Sequence, residues 1–354
     1  MSLLCKPAVV LPENIITQED TLQFCKDLHG DHPQLDLAMQ LITNTGVKKR
    51  HLIQPIEKAL QHPGVEERHK IYTDESRRLA KIAIEEALDN AGLEAKDIHL
   101  LIAVSCTGFL FPSLTAYLIN DMGFSPHTKQ LPIAQLGCAA GGASINRAKE
   151  YCMAYPDHNV LIVAVAFCSL LYQPTDNAVS ALLADGLFGD AVSAAVMKGK
   201  WNPEKDSGLR IDAVRSYLIP HTENYISYDI KPTGWHFVLD KRVRETMEPV
   251  VPVMEMLLKD EYIEKSSLEY FILHSGGPRI LKDLADLLGI EEEKITCSRE
   301  CLANLGNVAS VVIFEVVRRF FSKRGATLPA GVRGLLGGFG PGITAEINVG
   351  TWIK

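Results

Sequence analysis

No run of apolar residues approaches the ~20 that a membrane-spanning helix needs, so nothing in the chain reads as a membrane segment. The opening residues, Met1-Ser2-Leu3-Leu4-Cys5-Lys6-Pro7, lack a basic stretch and a long apolar core. No secretory leader is expected, and the expected location is the cytoplasm. Positive charge is scarce: 36 Lys and Arg stand against 43 Asp and Glu, a net charge of −7. A nucleic-acid partner needs a concentrated basic surface, and the absence of any long basic run argues against one. The densest basic cluster, Lys48-Lys49-Arg50, reads as a solvated patch or as a hold for a small phosphorylated ligand. The eight cysteines show no disulfide framework and read as free thiols. Cys297 and Cys301 are four residues apart, but no second ligand pair follows at zinc-finger spacing, so no metal is expected.

What is present is a chain of 354 residues, 47% hydrophobic and 22% charged, enough for two medium domains or one duplicated one. Short apolar runs at Leu100–Val104, Val160–Ala166 and Tyr270–Leu273 read as buried parallel strands. Helical patterns lie between them. Glu75–Ala91 has near-helical apolar spacing and stops at Gly92. Alternating strands and helices indicate an α/β sheet covered on both faces.

The chain also repeats itself. Ile98–Ser105 resembles Leu268–Ser275, and Leu136-Gly137-Cys138 pairs with Leu305-Gly306-Asn307. Each triplet opens a segment of small or apolar residues that reads as a buried helix. Val160–Ala166 then has its counterpart in Gly334–Phe339, and Asp190–Val196 matches Gly342–Val349 in character. The offset holds at about 170 residues for the first three matches. The division expected is 1–227 and 228–354, with the boundary in the turn-rich stretch Pro220–Gly234. A duplicated α/β unit sets its two central helices about a pseudo-twofold axis with their starts close together. Cys138 and Asn307 occupy equivalent helix starts, and His274 ends a strand, where ligands of such sheets bind. Three residues far apart in sequence are expected to meet in one pocket.

Gln135-Leu136-Gly137-Cys138-Ala139-Ala140-Gly141-Gly142 places a thiol on a strand-to-helix turn with no bulk around it. The helix dipole, and a histidine beside it, would lower the thiol pKa and favour thiolate. The bland alternative is a small core cysteine. His274, followed by Gly276 and Gly277, reads as a satisfied strand-end residue or as a site residue with room for a ligand. Asn307 reads as a helix N-cap or as an NH₂ donor. Together His274 and Asn307 would hold a thioester oxygen and stabilise the enolate left when a malonyl thioester loses CO₂. No metal or organic cofactor is required for that chemistry.

At these residues the sequence resembles the thiolase-fold condensing enzymes and, within them, the type III polyketide synthases. The motifs are Gly137-Cys138 with Ala-Ala-Gly-Gly, His274 with Gly-Gly-Pro, Gly306-Asn307 with Ala309-Ser310, and Gly338-Phe339-Gly340-Pro341-Gly342. The resemblance runs nearly end to end and implies an α/β thiolase fold, a duplicated five-layered αβαβα architecture. It also implies a homodimer that uses CoA thioesters directly, extends with malonyl-CoA and needs no acyl carrier protein. Val104–Phe109, Gln130–Arg147, Tyr172–Asp176 and His274–Leu281 are similar to the bacterial tetrahydroxynaphthalene-forming branch, with the phloroglucinol-forming enzymes a near alternative. The resemblance assigns Phe188 as a gatekeeper between CoA tunnel and cavity, with Phe237 as its second phenylalanine. It further implies an extra cavity cysteine at Cys106, cavity-shaping roles for Tyr228, Ala309 and Cys168, and reach into the partner subunit for Phe111. Two departures stand out. The positions where plant relatives grip CoA phosphates read Leu37, Gln40 and Asn44, and Ala166 stands where relatives commonly carry glutamate.

Rival readings remain. A carrier-protein-primed ketoacyl synthase shares the fold and the Cys-His-Asn set, but would need a basic docking patch. A papain-like protease has the same chain order of Cys, His and Asn, but not the duplicated plan. A thiolase-fold protein without activity would not need the set at all.

Overall fold

The computed structural model describes residues 2–354. The three expected strands form as Ile98–Ser105, Asn159–Phe167 and Leu268–Leu273, each almost wholly buried. The long helix runs Val65–Ala91, beginning ten residues earlier than its apolar pattern suggested, and ends on Gly92 in the left-handed conformation at φ 62°.

The duplication is visible in the pairing. In the first half, Ile98–Ser105 runs parallel to Asn159–Phe167, which pairs antiparallel with Asp190–Lys198. In the second, Leu268–Leu273 runs parallel to Arg333–Gly340, which pairs antiparallel with Thr344–Ile353. Asp190–Lys198 then pairs with Ser2–Leu4, and Thr344–Ile353 with Gly208–Leu218. Those last two partners, Ser2–Leu4 and Gly208–Leu218, pair antiparallel and join the half-sheets edge to edge. The result is a ten-stranded mixed sheet with helices on both faces.

The central layer is formed by the helices Ala140–Ala154 and Val312–Ser322. Ala140, Ile145 and Ala148 share one buried cluster with Val308, Val312 and Val316, and with strand residues of both halves. Small side chains let the two backbones approach, and the aliphatic ones fill the space between. Val65–Ala91 packs outside the first half-sheet, and Val251–Asp260 and Pro278–Leu288 cover the second. Ala166 is fully buried in the central cluster beside Ala164 and Ala191. A carboxylate there would lie among apolar groups, and the alanine fits them without a partner.

The stretch expected to be a boundary is structured. Ile226–Lys231 and Gly234–Leu239 form an antiparallel hairpin closed by Pro232-Thr233. A division at 227/228 cuts the first strand of that hairpin, and Gly208–Leu218 already pairs with the C-terminal strand. The turn residues of Pro220–Gly234 mark a hairpin and not a junction; the alternation from Ile226 to Ile230 is the strand signal within it. Among the described residues, no helix is long and apolar enough to cross a membrane.

Candidate active site

A cavity of about 1120 Å³ opens beyond the carboxyl ends of the parallel strands, and Cys138, His274 and Asn307 all line it. Each is held by backbone geometry that its neighbours dictate.

Cys138 sits in the 3-10 turn Gly137–Ala139 that leads into the helix Ala140–Ala154. Gly137 has φ +50°, and a Cβ there would lie 2.5 Å from Pro341. The Gly-Phe-Gly-Pro-Gly segment therefore packs directly over the Cys138 turn, and only glycine leaves space for it. Asn307 is pinned to the first half. Its N–H donates to Leu187 O at 2.9 Å, and its carbonyl accepts from the Gly189 N–H at 3.1 Å. Gly306, at φ +68°, would place a Cβ 2.3 Å from Leu187 O. His274 follows strand Leu268–Leu273, and its N–H donates to Gly337 O at 2.8 Å.

Side-chain orientation follows. The Ala309 N–H donates to Asn307 Oδ1 at 2.9 Å. That local turn bond leaves the amide NH₂ for the cavity, and Nδ2 lies 3.9 Å from Cys138 Sγ. Asn307 is not the N-cap: that position is Val308, without a side-chain cap, and the bond from Ala309 is a local turn that orients the amide. His274 is 2% exposed, and its buried Nδ1 has no hydrogen-bond partner to select a ring tautomer from that side.

Electrostatics run against one expectation. Burial, the leading cause, raises the Cys138 thiol pKa, and Cys106 adds to it. The hydrogen bonds from Asn307 and from the backbone favour thiolate but are outweighed. Burial alone lowers His274 to about 3. The favoured pair is a neutral thiol and a neutral imidazole, not the thiolate at rest that the helix start suggested. Desolvation of both charged forms is the physical reason.

The aromatic and small wall residues are brought together as well. Cys106, Cys168, Phe188, Tyr228, Phe237 and Ala309 all line the cavity. Phe188 and Phe237 meet edge to face with ring centroids 5.4 Å apart, and Tyr228 meets Phe237 at 6.0 Å. Burial pushes the Cys106 thiol up to about 11, so it is neutral at pH 7. Phe111 does not line this chain's cavity and is 90% exposed. Of the positions noted for CoA phosphates, Asn44 reaches the cavity rim, while Leu37 is an exposed hydrophobic residue on the helix Leu35–Asn44.

Arg50 corrects the reading of the basic cluster. It is 1% exposed and donates from Nη1 to Tyr172 Oη at 2.7 Å and to Phe188 O at 2.8 Å, and from Nη2 to Thr21 Oγ1 at 2.7 Å. It anchors the backbone of Phe188 from behind and has no face left for a phosphate. Lys48 and Lys49 remain exposed.

Sequence reasoning missed several lining residues. Trp235 and Ile230 come from the hairpin, and Lys241, Arg244 and Arg279 place cations on the cavity wall. The alternation of the hairpin strands and the Lys-Arg-Val-Arg run were the signals available. Among the described residues, no group of three or more His, Cys, Asp or Glu is gathered as a metal ion would require.

Comparison with known proteins agrees with this geometry. Residues 4–200 match the model of the chalcone and stilbene synthase N-terminal domain, and residues 210–351 match the C-terminal domain. The chain is 53% identical to a 1,3,6,8-tetrahydroxynaphthalene synthase of Streptomyces coelicolor, over 99% of this chain and 92% of that one. It is 44% identical to a phloroglucinol synthase of Pseudomonas fluorescens, over 99% of both chains. The crystal structure of the tetrahydroxynaphthalene synthase of Streptomyces coelicolor A3(2) superposes with a TM-score of 0.96 at 52% identity, covering 99% of each chain. Two halves built on one plan, a thiol and a carboxamide facing each other across them, and matches along both halves lead to one assignment: the chain belongs to the chalcone and stilbene synthases, the type III polyketide synthases.

Proposed function

We propose that this enzyme condenses malonyl-CoA units and cyclises the chain to 1,3,6,8-tetrahydroxynaphthalene, with Cys138 as nucleophile and His274 and Asn307 as its partners. The observation that carries the reading is the convergence of these three side chains on one large, largely apolar cavity. Full-length identity of 53% to a tetrahydroxynaphthalene synthase against 44% to a phloroglucinol synthase favours the longer product.

The neutral imidazole of His274 is the form that accepts a proton. In loading, the Cys138 S–H gives its proton to His274 as sulfur attacks the malonyl thioester carbonyl. The C–S bond to CoA breaks, and the departing thiolate takes the proton back. In extension, a second malonyl-CoA loses CO₂. The electron pair of the broken C–C bond moves into an enolate whose oxygen receives hydrogen bonds from Asn307 Nδ2 and a His274 ring N–H. The enolate carbon attacks the Cys138 thioester, forming the new C–C bond, and the cysteine sulfur leaves. Transfer of the longer chain back to Cys138 frees CoA. Nothing in this sequence needs a metal, an organic cofactor or an acyl carrier protein.

The wall residues set length and folding. Cys106, a neutral thiol beside Cys138, contacts the growing chain late in extension; Cys106→Ser is expected to shift products toward shorter pyrones, and an unchanged profile would reduce it to wall material. The exposed ring of Phe111 and the largely exposed edge strand Lys129–Ala134 suit a homodimer interface. The assay is purified protein with malonyl-CoA alone, read by mass spectrometry. Tetrahydroxynaphthalene or its oxidised naphthoquinone supports the proposal. Phloroglucinol or a triketide pyrone as sole product would reassign the enzyme within the family.

A further inference from the structure

We infer that the nucleotide phosphates of the acyl-CoA dock on Lys241, Arg244 and Arg279 rather than on the N-terminal helix Leu35–Asn44; the inference rests on the proposed function above. These three supply all the Lys and Arg side chains that line the cavity. The helix Leu35–Asn44 contributes only Leu41 and Asn44 to the cavity lining and carries no basic residue in its last turn. Arg50 is committed to Phe188, Tyr172 and Thr21.

The cations are also free to bind. Lys241 and Arg244 are exposed and make no ion pair among the described residues, whereas Arg242 between them is taken up by Asp240 at 2.8 Å. Arg279 touches Asp283 only at 3.6 Å. Of the three acids that line the same cavity, Asp240 holds Arg242, Asp176 holds His236 at 2.6 Å, and burial raises the Asp185 carboxyl to about 7. On a protein of net charge −7, three loosely held cations line a cavity whose acids Asp176 and Asp240 are already paired.

Backbone geometry adds to it. Arg279 stands in the first turn of the helix Pro278–Leu288, whose start carries no side-chain cap. Its first-turn N–H groups and dipole favour an anion there. Gly277, just before that helix, faces open space where a side chain would stand. The segment that bears the phosphate site therefore starts four residues after His274. A diphosphate held at Arg279 would send its pantetheine arm along the Gly276-Gly277 wall toward the reacting thiol.

The test compares malonyl-CoA with malonyl-pantetheine, which keeps the thioester arm and lacks the nucleotide. For Lys241→Ala/Arg244→Ala and for Arg279→Ala, KM for malonyl-CoA is expected to rise about tenfold each, with kcat within about twofold of wild type. Kinetics with malonyl-pantetheine should not change. Salt should raise the wild-type KM for malonyl-CoA and have much less effect on the triple variant. Adenosine 3′,5′-bisphosphate, titrated by calorimetry, should bind wild type and not the triple variant. An unchanged KM in the triple variant, an equal rise for both thioesters, or a KM rise confined to Lys48→Ala/Lys49→Ala overturns the inference. Wild-type protein that turns over neither thioester sinks the proposed function instead, and the bisphosphate titration still decides the phosphate site.

Discussion

The turn at Cys138 and the turn at Asn307 are the same station in two copies of one unit, and the proposed function puts them to opposite uses. Both carry a glycine of positive φ just before the key residue, +50° at Gly137 and +68° at Gly306. Both lead through a 3-10 turn into a buried central helix. They differ in what crowds the glycine: Pro341, from the second half, lies over Gly137, and Leu187, from the first, lies against Gly306. Each half thus clamps the functional turn of the other. In the proposed function the first half presents a nucleophile that forms and breaks bonds. The second presents a donor that only stabilises charge, aimed by a backbone N–H that occupies its oxygen. On that proposal, a single residue at each of two equivalent positions divides the labour.

If that division is real, the two turns can be broken separately. The largest effect should come from Cys138→Ala, which abolishes polyketide product while leaving slow decarboxylation of malonyl-CoA to acetyl-CoA, read by chromatography. Product formation by this variant would end the nucleophile assignment. Asn307→Ala should lower the decarboxylation rate by about 10²–10³ while Cys138 still takes up a malonyl group, detected by intact-protein mass. Loss of both together would show that the turns do not act independently. Gly306→Ala should cost about 1–3 kcal/mol from the backbone conformation alone, with more from displacing Leu187, measured by denaturant unfolding. A melting curve identical to wild type would mean that the clamp is not rigid.

The sequence showed much of this arrangement, and the gaps have physical causes. Strands buried on both faces are continuous apolar runs, so Ile98–Ser105, Asn159–Phe167 and Leu268–Leu273 were plain. The repeat brought Cys138 and Asn307 together because equivalent positions of a duplicated unit approach across its axis. The hairpin Ile226–Leu239 was read as a junction because its turn residues outweighed a short alternation. Arg50 was read as surface because charge alone does not reveal burial; its partners are carbonyls and hydroxyls far off in sequence. The state of the thiol was read from the helix start, a local feature. Burial by wall residues from both halves is a property of the assembled cavity and reverses it.

That reversal gives the smallest and sharpest test. A thiol whose pKa is raised holds its proton at pH 7, and its thiolate fraction climbs about tenfold per pH unit until the pKa is reached. Alkylation of Cys138 by iodoacetamide, followed on the Cys138 peptide, should be slower at pH 7 than for a free cysteine and rise steadily beyond pH 9. His274, lowered to about 3 by burial, is uncharged through that range and provides no counter-ion. His274→Ala should therefore change the alkylation rate at pH 7 by no more than a few-fold, although it cripples turnover. A resting thiolate-imidazolium pair would instead give fast alkylation that is flat from pH 6 to 8 and collapses in His274→Ala. In that case the attraction between the two charges, which grows as the surroundings become less polar, outweighs the desolvation of both, and the second half supplies charge to the first before any substrate arrives.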